Sequence, residues 1–507
     1  MIKLPKELAL LEQLSAALPR RIRQRFVILA LGAIVAMGRR TVTRVLWAVS
    51  SLSRGHASSY HRFFSKSIWS MLALGRVLAA LVFELLPTDK PIVLLVDDTV
   101  VKHRGDKVYG KGWHRDAVES TDKFLVKTLG HKWVVLAASV LLPGCKRPWA
   151  LPLLAALYLA PPKLPASADG QRRRQAGRAN ASMRPKSRSK NKSNRQKLQR
   201  SKLPVLRKRN RLGILEDRHK SPGLLARQLL ALLMYWFPDR KFIFIGDGGF
   251  ASHELALFCW RHRRQVTLIS RFHPDARLYA LPSDRLLRER SNRPSRRRGR
   301  KPMKGPRLPS PQESVESASA LPQTTVPWYG QSVRQAKTLS AAGGWYRCRG
   351  SSRGAIIPIR WVYVHELEHD GEAYFYSTDL TLGTQQIAGY FACRWSIEVT
   401  FQEVRAHLGF ATPRQRCRKS VLRTAPCLLG LFSVVSLIYA QLAQRKPLKR
   451  NNAWRGKREP SFVDALTAVR RVIWTKTILP RLDRDGLVAK LPRNLRNLLL
   501  QRLTAAA

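Results

Sequence analysis

Acidic residues are scarce in this 507-residue chain: 32 Asp and Glu stand against 92 Lys and Arg, a formal net charge of +60. Solubility does not require such an excess, and self-repulsion makes it a burden on a compact state. It points to a polyanionic partner, nucleic acid ahead of an anionic membrane surface. Cysteine is also sparse. The six, at 145, 259, 348, 393, 417 and 427, include no C-x-x-C pair, so they read as buried or free thiols in a reducing compartment. Cys259 and His262 have C-x-x-H spacing, but no second pair completes a zinc site. Long apolar runs are nearly absent. Only Ala425 to Ala443 runs 19 residues without a charge, and it contains Pro426, Ser433, Ser436 and Gln441; it reads as a buried core helix and not a membrane span. No signal peptide is expected, because the first apolar run, Phe26 to Met37, lies too far in and is short. No internal repeat is visible. What is present is 45% hydrophobic content, enough for a globular chain of several domains.

Residues 1 to about 88 read as helical. Leu4 to Leu18 and Ile22 to Met37 carry apolar residues near a 3.6 period, split by Pro19 and arginines at 20, 21, 23 and 25. A Gly-containing turn at Ser53 to Ala57 and the polar-aromatic run Ser58 to Ser67 are compatible with a helix-turn-helix. Pro91 to Asp98, PIVLLVDD, has the form of a central strand buried on both faces and ending in two acids. Such acids are costly unless something satisfies them. Side chains alternate along a strand, so Asp97 and Asp98 point to opposite faces and Thr99 shares the face of Asp97. Lys102 to Asp116 is a hairpin candidate, followed by a strand at His131 to Leu142.

From Arg172 to Arg211 there are 17 Lys and Arg and no acid in 40 residues, which predicts a disordered or DNA-following loop. A helix is expected over Leu224 to Trp236, and a second buried strand, Lys241 to Gly246, again ends in an acid, Asp247. A helix at His253 to Arg264 and a strand at Val266 to Ser270 follow. This is alternating α/β with a carboxylate at a strand end. After a second basic segment, Arg285 to Arg307, residues 326 to 380 turn β-rich, with an Asp-Gly turn at 370 and 371.

Tyr390 to Gly409 predicts a helix beginning near Thr384. Ile397, Phe401, Val404 and Leu408 make its core stripe, and Arg394, Glu398 and Arg405 a charged stripe beside it. Taken locally, Arg394 and Glu398 are an i,i+4 ion pair on a solvated face. Asp97, Asp247 and Glu398 together are the kind of set that two-metal phosphodiester chemistry needs: oxygen donors suit Mg or Mn, and one ion activates the attacking oxygen while the other stabilises the leaving one.

DDTVVK (Asp97 to Lys102), GDGGF (Gly246 to Phe250) and F-x2-R-x3-E-x6-R (Phe391, Arg394, Glu398, Arg405) resemble the three catalytic motifs of bacterial insertion-sequence DDE transposases, in the group whose third motif reads Y-x2-R-x3-E-x6-K. The likeness runs from about 90 to 440. It departs at two places: the family Tyr is Phe391 here, and the family Lys is Arg405. The resemblance implies an α/β fold with an RNase H-like catalytic core and a β-rich insertion, an N-terminal helical domain and a helical C-terminal region. The corresponding division is a helical DNA-binding domain at 1–88, core at 89–160, a basic flexible insertion at 161–215, core at 216–275, basic linker and β-rich insertion at 276–380, catalytic helix and core at 381–445, and a helical region at 446–507.

The resemblance also implies cut-and-paste DNA transposition. Asp97, Asp247 and Glu398 would be catalytic and hold two Mg (or Mn) ions, while Arg394, Arg405, Thr99 and Lys102 would contact DNA. The partners would be double-stranded DNA, as terminal inverted repeats and target, and a second copy of the chain in a synaptic complex, with no membrane. The location would be the bacterial cytoplasm, at the nucleoid. Trp328, Trp345 and Trp361 are candidates to receive a flipped base. The charge alone would equally serve a catalytically inactive nucleic-acid-binding protein.

Overall fold

The computed structural model describes residues 4–103, 105, 107–115, 120–121, 124–160, 219–281, 304–328, 332–347, 352, 354–368, 371–445, 459–483 and 486–505. Contacts divide the chain into residues 1–158 with 221–507, and residues 159–220. Nearly all of the second unit, including the basic insertion expected at 161–215, lies outside the described residues, as does most of the basic segment Arg285 to Arg307. The sheet and its helices belong to the first unit.

Uninterrupted apolar runs make the centre of its sheet. Strand β1 (Ile92–Lys102) lies parallel to β5 (Phe242–Gly246), which lies parallel to β6 (Val266–Arg271). Leu94, Leu95, Val96, Phe244 and Ile245 are sealed from solvent, each contributing roughly 1.5–3 kcal/mol by burial. Antiparallel strands flank this trio. On one side β3 (Lys127–Val140) pairs with β1 and carries both β2 (Gly112–Arg115) and β4 (Trp149–Tyr158) on its far edge. On the other side β12 (Glu372–Ser377) pairs with β6, and β11 (Ile356–Glu366), β10 (Val333–Tyr346), β9 (Gln323–Pro327), β7 (Leu278–Tyr279) and β8 (Arg307–Leu308) continue the sheet. The fold is mixed α/β, and the β-rich stretch extends the same sheet as the parallel strands.

Three expectations need correction. The strand expected at Pro91 to Asp98 does not end in its two acids: β1 runs on to Lys102, held along β3. Lys102 to Asp116 does not fold back on β1, because β3 occupies that edge of β1 from residue 94 to 102; β2 pairs with β3 instead. The strand β4 was not anticipated. Its sequence WALPLLAALY is as apolar as a core helix, and its burial is decided by what covers it.

The longer helices begin at the N-terminus with α1 (Ala9–Ala16), α2 (Arg20–Val35), α3 (Val42–Ala48), α4 (Ala57–Ser65) and α5 (Met71–Phe83). They are followed by α6 (Pro222–Trp236) and α7 (His253–Arg261), then α8 (Thr384–Ala392), α9 (Trp395–His407), α10 (Arg418–Arg445), α11 (Phe462–Ile473) and α12 (Arg493–Thr504). Helices α5, α9 and α10 pack on β4, and α10 also meets α4, α5 and α11. Helix α10 is long and apolar enough to cross a membrane, but most of its apolar stretch is buried inside the protein. Its polar residues are satisfied there: Ser433 Oγ donates to the Pro152 carbonyl at 2.7 Å and Ser436 Oγ to the Phe432 carbonyl at 2.8 Å.

Candidate active site

Strand register brings the first two acids together. Val96 of β1 lies beside Gly246 of β5, so Asp97 and Asp247 follow one another where the parallel pairing of these strands stops; β5 ends there, while β1 runs on along β3 to Lys102. In open α/β sheets this end is where ligands bind. Asp247 is shaped by its own motif. Its Oδ1 accepts the Gly249 N–H at 2.9 Å, capping a short turn, and its carbonyl accepts the Ser270 hydroxyl at 2.9 Å. Phe250 plugs the core below, fully buried. Gly246 has to be glycine for space: a Cβ there would lie 2.8 Å from Phe250 Cβ and 3.0 Å from a Val96 methyl.

Asp97 and Asp98 diverge as strand parity requires. Asp98 turns away to an ion pair with Lys132 of β3 at 2.8 Å, a partner that pulls its pKa down against the larger upward push of burial. Asp97 faces α9. Its Oδ1 accepts the Asp98 N–H at 2.7 Å, and its Oδ2 lies 3.2 Å from Arg394 Nη1. Burial first, and then the neighbouring Asp247, raise the Asp97 carboxyl to about 7, with Arg394 opposing.

Glu398 arrives on α9, whose core stripe Ile397, Phe401, Val404 and Leu408 is buried as its spacing dictates. The expected single helix is two. Between α8 and α9, the N–H groups of Cys393, Arg394, Ser396 and Ile397 donate three residues back, and Ser396 Oγ takes the Cys393 carbonyl at 2.7 Å. A side chain that competes for a backbone carbonyl favours such a break. The break lands at Arg394, whose Nη1 reaches Asp97 and also Glu398 Oε1 at 2.7 Å. The i,i+4 pair read from local spacing is therefore present, but it is inward-facing and shared: one buried guanidinium joins the helix acid to the strand acid. The other charged position, Arg405, reaches across to Thr99 Oγ1 and, at 3.4 Å, the Val100 carbonyl. Lys102 lies at the exposed end of β1.

Phe391, where the resemblance leads one to expect Tyr, is fully buried. Its ring packs 4.6 Å from that of Phe375, and the guanidinium carbons of Arg394 and Arg271 lie 5.6 Å and 6.0 Å from its centre. Arg271 was missed from sequence. It ends β6 one residue beyond Ser270, which lies beside Gly246, so it is level with Asp247 and its side chain is exposed. The signal was available: a third apolar strand, VTLIS, ends in a charge at the same level as the two acids. Of the three tryptophans, Trp361 is buried, Trp345 packs against His253, Phe272 and Tyr376, and Trp328 is half-buried.

The donor chemistry fits a hard divalent cation. All three candidate ligands are carboxylates, and Asp97 and Asp247 repel each other at one end of the sheet. Among the described residues no three acidic, His or Cys side chains converge in a metal-holding geometry; the positive charge between Asp97 and Glu398 is that of Arg394.

Comparison with known families assigns the class. Residues 13–336 match the DDE superfamily endonuclease model, which spans more than half of the chain, and the chain belongs to the DDE superfamily of endonucleases. Residues 354–424, which include Arg394, Glu398 and Arg405, match the archaeal putative transposase ISC1217 family. Among solved structures the chain is similar to the piggyBac transposase synaptic complex with hairpin DNA, at 10% identity and a TM-score of 0.37, covering 98% of this chain and 82% of that one. No curated protein matches the sequence.

Proposed function

We propose that the protein is a DNA transposase that cuts at the ends of a mobile element and transfers them into target DNA by cut-and-paste. Its catalytic core in this reading is RNase H-like, with Asp97, Asp247 and Glu398 as the catalytic carboxylates. The observation that carries the reading is that Arg394 joins the helix acid Glu398 to Asp97, with Asp247 following on the parallel strand beside Asp97. Asp97, Asp247 and Glu398 would hold two Mg or Mn ions, which supply activation of the attacking water or 3′-hydroxyl and stabilise the leaving oxygen. Arg394 and Arg405 would meet phosphates on either side of Glu398, and Thr99 and Lys102 lie on the strand those phosphates would follow. The N-terminal helices would bind the element ends, as a homodimer in a synaptic complex, in the cytoplasm of a bacterium at its nucleoid.

The test uses a duplex of the DNA flanking the reading frame. Asp97→Asn, Asp247→Asn and Glu398→Gln are each expected to abolish Mg-dependent cleavage while leaving DNA binding intact. Cleavage that survives all three would sink the reading. A second reading, a catalytically inactive nucleic-acid-binding protein, is favoured by the guanidinium bridge itself, which neutralises two of the three acids. It predicts steeply salt-dependent binding with no cleavage in either Mg or Mn.

A further inference from the structure

Arg40 is a charged residue with 5% of its surface exposed, and its partners are backbone carbonyls. Nε donates to the Ala33 carbonyl at 3.2 Å, Nη1 to the Gly38 carbonyl and Nη2 to the His407 carbonyl. Its backbone N–H donates to Thr412 Oγ1 at 2.8 Å. Ala33 lies in the last turn of α2, and His407 is the last residue of α9. A helix leaves its last four carbonyls orphaned and carries partial negative charge there. One guanidinium therefore serves two helix ends at once. The turns around it touch backbone to backbone: Gly38 and Gly409 both have left-handed φ, 69° and 62°. A Cβ on Gly409 would lie 3.1 Å from the Gly38 carbonyl oxygen and 3.3 Å from Arg40 Cδ. The helix clasped in this way carries Glu398 in its first turn and Arg405, which reaches β1, two residues before the clasp.

We propose that Arg40 is a positioning residue: by tying the carboxyl end of α9 to the α2–α3 turn, it sets where Glu398 and Arg405 stand against Asp97 and Thr99 of β1. The inference rests on the reading of Asp97, Asp247 and Glu398 as the cleavage site.

Arg470 supplies the control. It is as deeply buried, and it also binds carbonyls at the end of α2, Ile34 at 2.8 Å and Ala36 at 3.2 Å. Its third carbonyl is Ala505, so these three bonds do not reach α9. Arg40→Met, Arg40→Lys and Arg470→Met would be compared in the full chain at a temperature where each is folded. The readouts are hydrogen exchange at the amides of Ala406 to Phe410, the affinity for flanking-DNA duplex, and the single-turnover cleavage rate in Mg or Mn. For Arg40→Met, exchange is expected to quicken about tenfold and cleavage to slow about 100-fold, the scale of a misplaced catalytic group, with DNA affinity little changed. Arg40→Lys should recover part of both, and Arg470→Met should leave both near wild type. Unchanged exchange in Arg40→Met overturns the clasp, and quickened exchange with unchanged cleavage overturns the positioning role. Equal losses in Arg470→Met also overturn it, as a general loss of stability. If Arg40→Met does not fold, Arg40→Lys against Arg470→Met carries the same comparison. A wild-type chain that never cleaves would count against the transposase reading, and the exchange measurements would still decide the clasp.

Discussion

Arg394 and Arg423 are both buried cations, held in opposite ways. Arg394 stands between two carboxylates, Asp97 of β1 and Glu398 of α9. Arg423, on α10, binds the carbonyls of Phe64 at 3.1 Å, Ser67 at 2.9 Å and Trp69 at 2.7 Å, and lies over the Trp69 ring at 4.4 Å. Arg40 and Arg470 follow the second pattern. Carbonyls of a folded backbone cannot leave or titrate, so an arginine bound to them is a fixed part of the scaffold. Carboxylates can exchange one cation for another, so a guanidinium bound to them marks a place where another positive charge can be received. The buried arginines 40, 423 and 470 of the helical layer are held by carbonyls, and the buried Arg394 of the candidate active site by carboxylates.

That contrast can be broken by experiment, and the largest effect is on chemistry. Asp97→Asn should lower metal-dependent cleavage by about 10³-fold or more, since a metal site supplies several kcal/mol of charge stabilisation. The folded state should hold its stability or gain up to about 1 kcal/mol, because the substitution removes a charge that burial disfavours and relieves the repulsion from Asp247. A clear loss of stability in urea unfolding would contradict the picture of Asp97 as a strained acid. Next, Arg394→Met should destabilise by roughly 3 kcal/mol by leaving two partly buried acids without their shared partner, and millimolar Mn²⁺ should restore much of the unfolding midpoint. Arg423→Met should cost about the same, roughly 3 kcal/mol for three abandoned carbonyls, with no recovery in Mn²⁺. Equal responses to Mn²⁺ in the two variants would erase the distinction.

Smaller effects sharpen it. Gly246→Ala should cost about 2 kcal/mol, because its Cβ would press on Phe250 and Val96 in a packed core; a neutral result in thermal unfolding would mean β1 and β5 can separate. Phe391→Leu keeps the apolar fill but removes the ring flanked by Arg394 and Arg271. It should cost about 1 kcal/mol, read by the same unfolding measurement.

Much of the sheet's centre was legible. PIVLLV and KFIFIG have the form of buried strands, and parity along β1 separates Asp97 from Asp98, whose ion-pair partner is Lys132, the residue of β3 opposite Val100. The stripe Ile397, Phe401, Val404 and Leu408 was legible for the same reason: period is a property of local geometry. The helix break before Trp395 was not, since it depends on Ser396 taking a carbonyl that a continuous helix would use. Nor was the burial of Arg40, Arg423 and Arg470. An arginine reads as surface until three carbonyls from distant segments converge on it.

By itself, then, the sequence determined the elements that carry chemistry: which acids follow the buried strand runs, which acid rides a helix and on which face each one stands. Those follow from alternation and helical period, which act over a few residues. Only the tertiary structure decided what each charge meets: Asp97 and Glu398 on one guanidinium, Asp98 on Lys132, Arg405 on Thr99, and the end of α9 on Arg40. These pairings join residues up to several hundred positions apart, and the free energy of a charge depends on its partners and its burial rather than on its neighbours along the chain.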